Sequence, residues 1–197
     1  MKKVLIIKTG FSELLGRDTS TAVSLGDVLL CTPLLHLYKK DKVTWITSKK
    51  AEPLLKGNPY IDKIYIFGTK IFKNLKNKKF DILINLEKDI GICAFLNQIK
   101  SKKRLGFYFD ETKNDVDVYK TSTKFLLGRQ KDYKRNIYGS NLEILFDAAG
   151  AQYKGERYIL GHKPKSTELY DIGLNYSVGP KWPTKAWPKE NWDCLET

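Results

Sequence analysis

An α/β fold built on a parallel sheet is predicted by three features of the sequence. Short β-branched apolar runs recur along the chain, helix-type or loop sequence fills the intervals between them, and the bulk composition is that of a folded soluble protein. Of 197 residues 42% are hydrophobic, 29% charged and 12% aromatic, which excludes a disordered chain. The length accommodates one domain with a sizeable core, or one domain and the beginning of another.

Taken in order, strands are predicted at Val4–Ile7, Val43–Thr47, Ile64–Phe67, Ile82–Leu86, Arg104–Phe107 and Ile172–Asn175. Helices are predicted at Asp27–Tyr38, Glu52–Lys56, Ile90–Ile99 and Ser140–Ala149. In the last, Leu142, Leu145, Phe146 and Ala149 share one face, and Gly150 is placed to end it. Pro33 means that the first helix is either kinked there or begins at Thr32-Pro33. Two segments break the alternation. Residues Thr9 to Ser24 form a polar connection far longer than the usual βα loop, and long loops of this kind tend to carry function. Gly161-His-Lys-Pro-Lys-Ser-Thr167 reads as a linker. The expected organisation is one domain over residues 1–160, a linker over 161–170, and the start of a second domain over 171–197, with the opening at Val4 echoed at Ile172.

Cys31, Cys93 and Cys194 are odd in number and far apart, with no metal-ligand spacing, so neither a disulfide framework nor a metal site is expected. No apolar run approaches the length of a membrane span, and Met1-Lys-Lys leads directly into a strand-like run, so a cytoplasmic protein is expected. Net charge is +13 with a pI near 9.5, which calls for an anionic partner: nucleic acid, an anionic membrane face, or a phosphorylated or acidic substrate. Between Lys70 and Arg104 ten basic residues face three acidic ones, which is either a solvated lysine-rich face or a binding surface.

Two segments carry the chemistry. Ser24-Leu-Gly-Asp27 places a carboxylate at the start of the first helix, where it is either a helix cap or a reactive group at the carboxyl edge of the sheet, the edge at which open α/β folds bind ligands. Asp171 to Trp192 reads as an apolar strand, a Gly/Pro-rich loop with Lys181 and Lys185, and a helix start, an arrangement that presents N–H groups and positive charge to a phosphate. His36 and His162 have no triad or metal pattern around them, and no GxGxxG follows the first strand.

Together, the N-terminal VLIIK strand, SLGDVLxxTPLLxxL, NPYID at Asn58–Asp62, FDILINLE at Phe80–Glu87, RLGF at Arg104–Phe107 and KWPTKAWPKENW at Lys181–Trp192 resemble glycosyltransferase family 9, the family of the ADP-heptose:lipopolysaccharide heptosyltransferases. The resemblance implies a GT-B-type enzyme with two facing Rossmann-like domains, the first binding acceptor and the second a nucleotide-diphosphate sugar, here ADP-heptose. It implies inverting transfer without metal or cofactor. It makes Asp27 the general base, accepting the proton of a sugar hydroxyl as the new bond forms. It makes Lys185 a ligand of the donor diphosphate, with Thr184, Ser177 and Lys181 as further donor-binding candidates. Trp182, Trp187 and Trp192 are read as packing residues rather than base-stacking ones.

On this reading Lys70, Lys73 and Lys76 bind a lipopolysaccharide-type acceptor, and the protein makes peripheral contact with the inner membrane at its cytoplasmic face; nucleic acid is not the expected partner. The chain departs from the family in its long Thr9–Val23 loop and in a donor domain that stops at Thr197, which reads as truncation. The alternatives are a non-catalytic basic domain that binds polyanions, or an inactive fragment.

Overall fold

The computed structural model describes residues 1–11, 23–120, 140–162, 172–174 and 185–195. The chain divides into two compact units, Met1–Lys163 and Pro164–Thr197. The first is a six-stranded sheet in the order β3-β2-β1-β4-β5-β6. β1 (Lys3–Ile7), β2 (Lys42–Thr47), β3 (Lys63–Ile66), β4 (Lys79–Asn85) and β5 (Lys100–Asp110) run parallel, and β6 (Asp115–Val118) pairs antiparallel with β5. This is the strand order of dinucleotide-binding folds, with its reversal between β1 and β4. The α/β, Rossmann-like architecture expected from the apolar runs is the one observed.

Alternate side chains of the central strands supply two cores. Val4 and Ile6 of β1 point to one face, where they meet Val28, Leu34, Leu35, Trp45, Leu145 and Phe146. Leu5 and Ile7 point to the other, against Ile71, Leu75, Leu83, Ile92 and Leu96. The first face is covered by α1 (Leu25–Leu30), the 3₁₀ helix η1 (Thr32–Tyr38), α2 (Glu52–Leu55) and α5 (Asn141–Ala148); the second by α3 (Ile71–Leu75) and α4 (Ile90–Asn97). Burying both faces explains why β1 reads as an unbroken apolar run.

The first predicted helix is two helices. Pro33 has no N–H to give to the carbonyl of Leu29, and the Thr32 hydroxyl donates to that oxygen instead at 2.8 Å. The chain then tightens into η1, with Pro33 in its first turn. α5 begins with a capping box between Ser140 and Glu143 and ends as a Schellman turn: Gly150 adopts φ 71°, its N–H reaches the Asp147 carbonyl at 2.8 Å, and that of Ala151 reaches Phe146 at 2.9 Å.

Residues 151–162 lie as a strap over this face. His36 Nε2 donates to the Arg157 carbonyl at 3.0 Å, Ile159 N–H donates to Thr32 Oγ1 at 3.1 Å, and Asn58 Nδ2 donates to the Ile159 carbonyl at 3.1 Å. Gly161, the first residue of the expected linker, is held against the α2–β3 turn so closely that a Cβ there would stand 1.8 Å from the Lys56 carbonyl oxygen.

Three elements escaped the sequence reading: α3, β6, and the extension of β5 to eleven residues. One expectation fails over its described residues. Ile172–Leu174 carries no strand, and Ile172 and Leu174 are 77% and 61% exposed. An apolar run alone does not make a parallel strand, which needs a neighbour to take up its N–H and C=O groups. In the second unit the described regular element is α6 (Lys189–Asp193).

Candidate functional site

The carboxyl ends of β1 and β4 adjoin at the point where strand order reverses, and a buried ion pair sits there. Lys8 Nζ lies 3.7 Å from Glu87 Oε2, with the two side chains 5% and 3% exposed. The other carboxylate oxygen, Glu87 Oε1, accepts from the Thr9 N–H, from Thr9 Oγ1 at 2.7 Å and from the Gly10 N–H at 3.1 Å. One side chain just beyond β4 thereby sets the path of the chain as it leaves β1. Asn85 fixes the neighbouring backbone: its Nδ2 donates to the Phe107 carbonyl at 2.9 Å, and its Oδ1 accepts from the Glu87 N–H at 3.0 Å.

The exit from β1 carries this order to α1. The Gly10 carbonyl accepts from the Ser24 N–H at 2.7 Å, and Phe11 and Val23 form an antiparallel bridge, so both ends of the long loop are held together; residues 12–22 between them lie outside the described residues. Gly10 adopts φ 80°, and a Cβ there would approach Ser24 O and Val28 Cγ2 at 2.9 Å. Only glycine lets the backbone pass this close to the helix start.

Ser24 is the N-cap residue of α1, and no side-chain cap bond closes its first turn. Asp27 stands at the third helical position, half-buried, so the simple reading of it as the cap residue does not hold. Of the carboxylates on this side of the sheet, Glu87 is engaged and closed off from solvent, and Asp89 caps α4 by accepting from the Ile92 N–H at 2.8 Å. Of these three, Asp27 is the one left half-exposed, in a first turn that no side-chain cap bond closes. Chemically, that is a group able to take a proton from a bound hydroxyl.

Within the first unit, Lys70, Lys73 and Lys76 are not gathered at this point. Lys70 is the N-cap residue of α3, Lys73 lies in its last turn and Lys76 is its C-cap; all three are exposed. They follow a helix on the face of the sheet opposite to α1. Lys185 is exposed in the second unit, whereas Ser177, Lys181, Trp182 and Thr184 lie outside the described residues. Trp187 and Trp192 meet edge to face with centroids 4.8 Å apart, a packing contact. Arg104 of the RLGF run is a helix stop: its guanidinium donates to the carbonyls of Leu96, Asn97 and Ile99 where α4 ends.

Among the described residues no helix is long and apolar enough to cross a membrane, and no cluster of three potential metal ligands occurs. Lys8 and Glu87 were missed as site residues. Their signal was a single charge ending each of two apolar runs, Val4-Leu-Ile-Ile-Lys8 and Ile82-Leu-Ile-Asn-Leu-Glu87.

No family model matches the chain, and comparison with curated proteins returns no match. Solved structures similar to it include a glycosyl transferase family 9 protein from Veillonella parvula DSM 2008, at 20% identity over 54% of this chain and 32% of that one with a TM-score of 0.42. The E. coli heptosyltransferase WaaC with ADP is similar at 16% identity over 52% of this chain and 35% of that one, TM-score 0.38. WaaC with ADP-2-deoxy-2-fluoro heptose is similar at 13% identity over 98% of this chain and 64% of that one, TM-score 0.48. The chain thus spans between about a third and just under two thirds of the structures it is similar to.

Proposed function

We propose that the chain is the acceptor-side domain and part of the donor domain of a family 9 glycosyltransferase. The observation that carries this reading is the placement of Asp27. It lies in the first turn of α1, the first helix after β1, on the carboxyl side of a 3-2-1-4-5 parallel sheet, half-exposed and two positions past the first helical residue. The motifs SLGDVL, FDILINLE and KWPTKAWP, in family order, give that position its chemistry.

In the proposed reaction an acceptor sugar hydroxyl gives its proton to the Asp27 carboxylate while its oxygen bonds to the anomeric carbon of the donor. The bond from that carbon to the nucleotide diphosphate breaks, and the diphosphate leaves with the electron pair. Attack from the face opposite the leaving group inverts the anomeric centre. Lys185, with Ser177, Lys181 and Thr184, stabilises the charge on the departing diphosphate. The donor is a nucleotide-diphosphate sugar of the ADP-heptose type and the acceptor a lipopolysaccharide core or related surface glycan. Lys70 is the lysine of its trio nearest the carboxyl edge, since α3 starts where β3 ends; Lys73 and Lys76 serve an acceptor long enough to follow the helix.

The donor half is tested by calorimetric titration with ADP and ADP-heptose, with GDP and UDP for comparison. Saturable binding of the adenine nucleotides, lost in Lys185→Ala, is expected. Equal binding by the variant removes Lys185 from the site, and no binding by the native chain means that this length does not hold donor.

A further inference from the structure

The edge of the sheet opposite to Asp27 is a row of lysines. Each of the five parallel strands opens on one: Lys3, Lys42, Lys63, Lys79 and Lys100. Lys3 pairs with Lys42 and Lys79 with Lys100, while Lys63 pairs with Thr44, so the row steps by two residues between β2 and β3 and again between β1 and β4. At about 4.8 Å between neighbouring strands the row is roughly 19 Å long. Lys78 and Lys102 extend it, and two hollows of about 410 and 570 Å³ open between these side chains.

The acids on this edge accept hydrogen bonds from the backbone. Asp41 accepts from the Lys2 N–H at 2.8 Å, Asp62 from the Val43 N–H at 2.7 Å and Asp81 from the Lys3 N–H at 2.8 Å, so each is tied to backbone. Lys102 is paired with Asp81 at 2.8 Å, but among the described residues none of the five strand-opening ammonium groups is in an ion pair. Seven lysines against three aspartates leave an excess of four positive charges at this end of the sheet. Tyr65 reports the field they set up: partial burial pushes its phenol up, yet hydrogen bonds and charge from Lys63 and Lys78 outweigh this and hold it below the usual value.

We infer that this amino edge docks on an anionic lipid bilayer, with the strands standing on the headgroups. The row runs across all five parallel strands at their amino ends, so its charge is spread over the whole width of the sheet. Its charges are ammonium groups, compact and strongly hydrated, suited to non-specific attraction by a charged plane. The aromatic rings described at this edge are occupied rather than offered to a base: Phe80 is buried, and Lys63 and Lys78 lie 4.9 and 6.0 Å from the Tyr65 ring centroid.

Docking this way holds the carboxyl edge of the sheet off the membrane. Strands of five to seven residues, at about 3.3 Å per residue, set that stand-off at roughly 20 Å. Resting on the proposed transfer reaction, this makes the acceptor hydroxyl one on the outer part of a membrane-anchored glycan rather than the sugar next to the lipid.

The test is co-sedimentation of the full chain with phosphatidylcholine vesicles, with and without a third of phosphatidylglycerol. It is run at low salt and at about 1 M salt, where the screening length is about 3 Å. Binding to the anionic vesicles alone, abolished by high salt, is expected. At about fivefold per lysine, the triple variant Lys3→Gln, Lys79→Gln, Lys100→Gln should lower partitioning roughly 100-fold. Lys70→Gln, Lys73→Gln, Lys76→Gln is the matched control, and circular dichroism confirms that both variants fold.

Equal binding to neutral vesicles overturns the inference, as does an unchanged triple variant or an equal loss in the control. So does tighter binding, per phosphate, to single-stranded or duplex oligonucleotides than to vesicles. None of these measurements involves donor or acceptor, so failure here leaves the transfer reading standing.

Discussion

Replacing Glu87 should cost more than any surface charge on this protein, and the structure says why. Glu87→Ala removes the carboxylate beside a buried ammonium and the acceptor shared by Thr9 N–H, Thr9 Oγ1 and Gly10 N–H. Breaking a buried pair from one side costs about 3–5 kcal/mol, and each buried donor left without its acceptor about 1–3 kcal/mol. Water entering the truncated site offsets part of this, so the expected loss is about 4 kcal/mol. At roughly 2–4 °C per kcal/mol for a domain of this size, the melting temperature falls by about 8–16 °C. Glu87→Gln keeps an oxygen for the three donors but removes the charge, and Lys8→Met removes the charge from the other side. If the pair is coupled, the double variant Lys8→Met/Glu87→Gln is less destabilised than the sum of the two singles by about 2 kcal/mol. Urea unfolding followed by far-UV circular dichroism and by fluorescence provides the cycle. Trp45 is well placed as a probe, since its Nε1 donates to the Lys8 carbonyl at 3.3 Å. Additive singles, or a Glu87→Ala cost below about 1 kcal/mol, would refute the assignment of this pair as the clamp on the β1 exit.

Two further effects follow from local geometry. Gly106 adopts φ 84°, and a Cβ there would stand 1.9 Å from the Asn85 carbonyl oxygen, so Gly106→Ala should lose about 3 kcal/mol or more in urea unfolding. Gly68→Ala, where the added carbon meets nothing within 4 Å, should stay within about 0.5 kcal/mol. Burial, helped by the charge of Asp41, pushes the Tyr38 phenol up to about 12 from its ordinary 10. The folded state therefore holds its proton longer than the unfolded chain does, and the associated stability is full below pH 10 and is lost as pH rises from 10 through 12. Tyr38→Phe should flatten that alkaline fall by up to about 3 kcal/mol; an unchanged slope would place the loss elsewhere.

What the sequence made legible follows from which signals are local. β1, β2 and β4 are buried on both faces, so their apolar runs stand out whatever surrounds them. The capping box at Ser140 and the glycine after α5 are short-range devices readable in the chain itself. α3 was hidden because its two buried residues, Ile71 and Leu75, sit among lysines that mask the period. β6 was hidden because its alternating acids and valines pair with the far end of β5, a contact that no single run announces. The same limit governs the site. Asp27 is marked by its local motif, whereas the Lys8–Glu87 pair joins residues 78 or more positions apart and exists only once β1 and β4 are neighbours. The lysines between Lys70 and Arg104 look like one patch in the sequence. Folding divides them between α3 and the amino edge, where they join Lys3, Lys42 and Lys63 from outside the run.

The account turns on Asp27 as the base at the carboxyl edge. The most direct measurement is steady-state sugar transfer from a nucleotide-diphosphate sugar to a core-type glycan by the native chain and by Asp27→Asn, with unfolding curves for both. The amide keeps the size of the side chain and removes its ability to take a proton, so kcat should fall about 10²–10⁴-fold with KM and stability little changed. A variant that turns over within a few-fold of the native chain would contradict the assignment of Asp27 as the general base, and a native chain that transfers no sugar would contradict the activity itself.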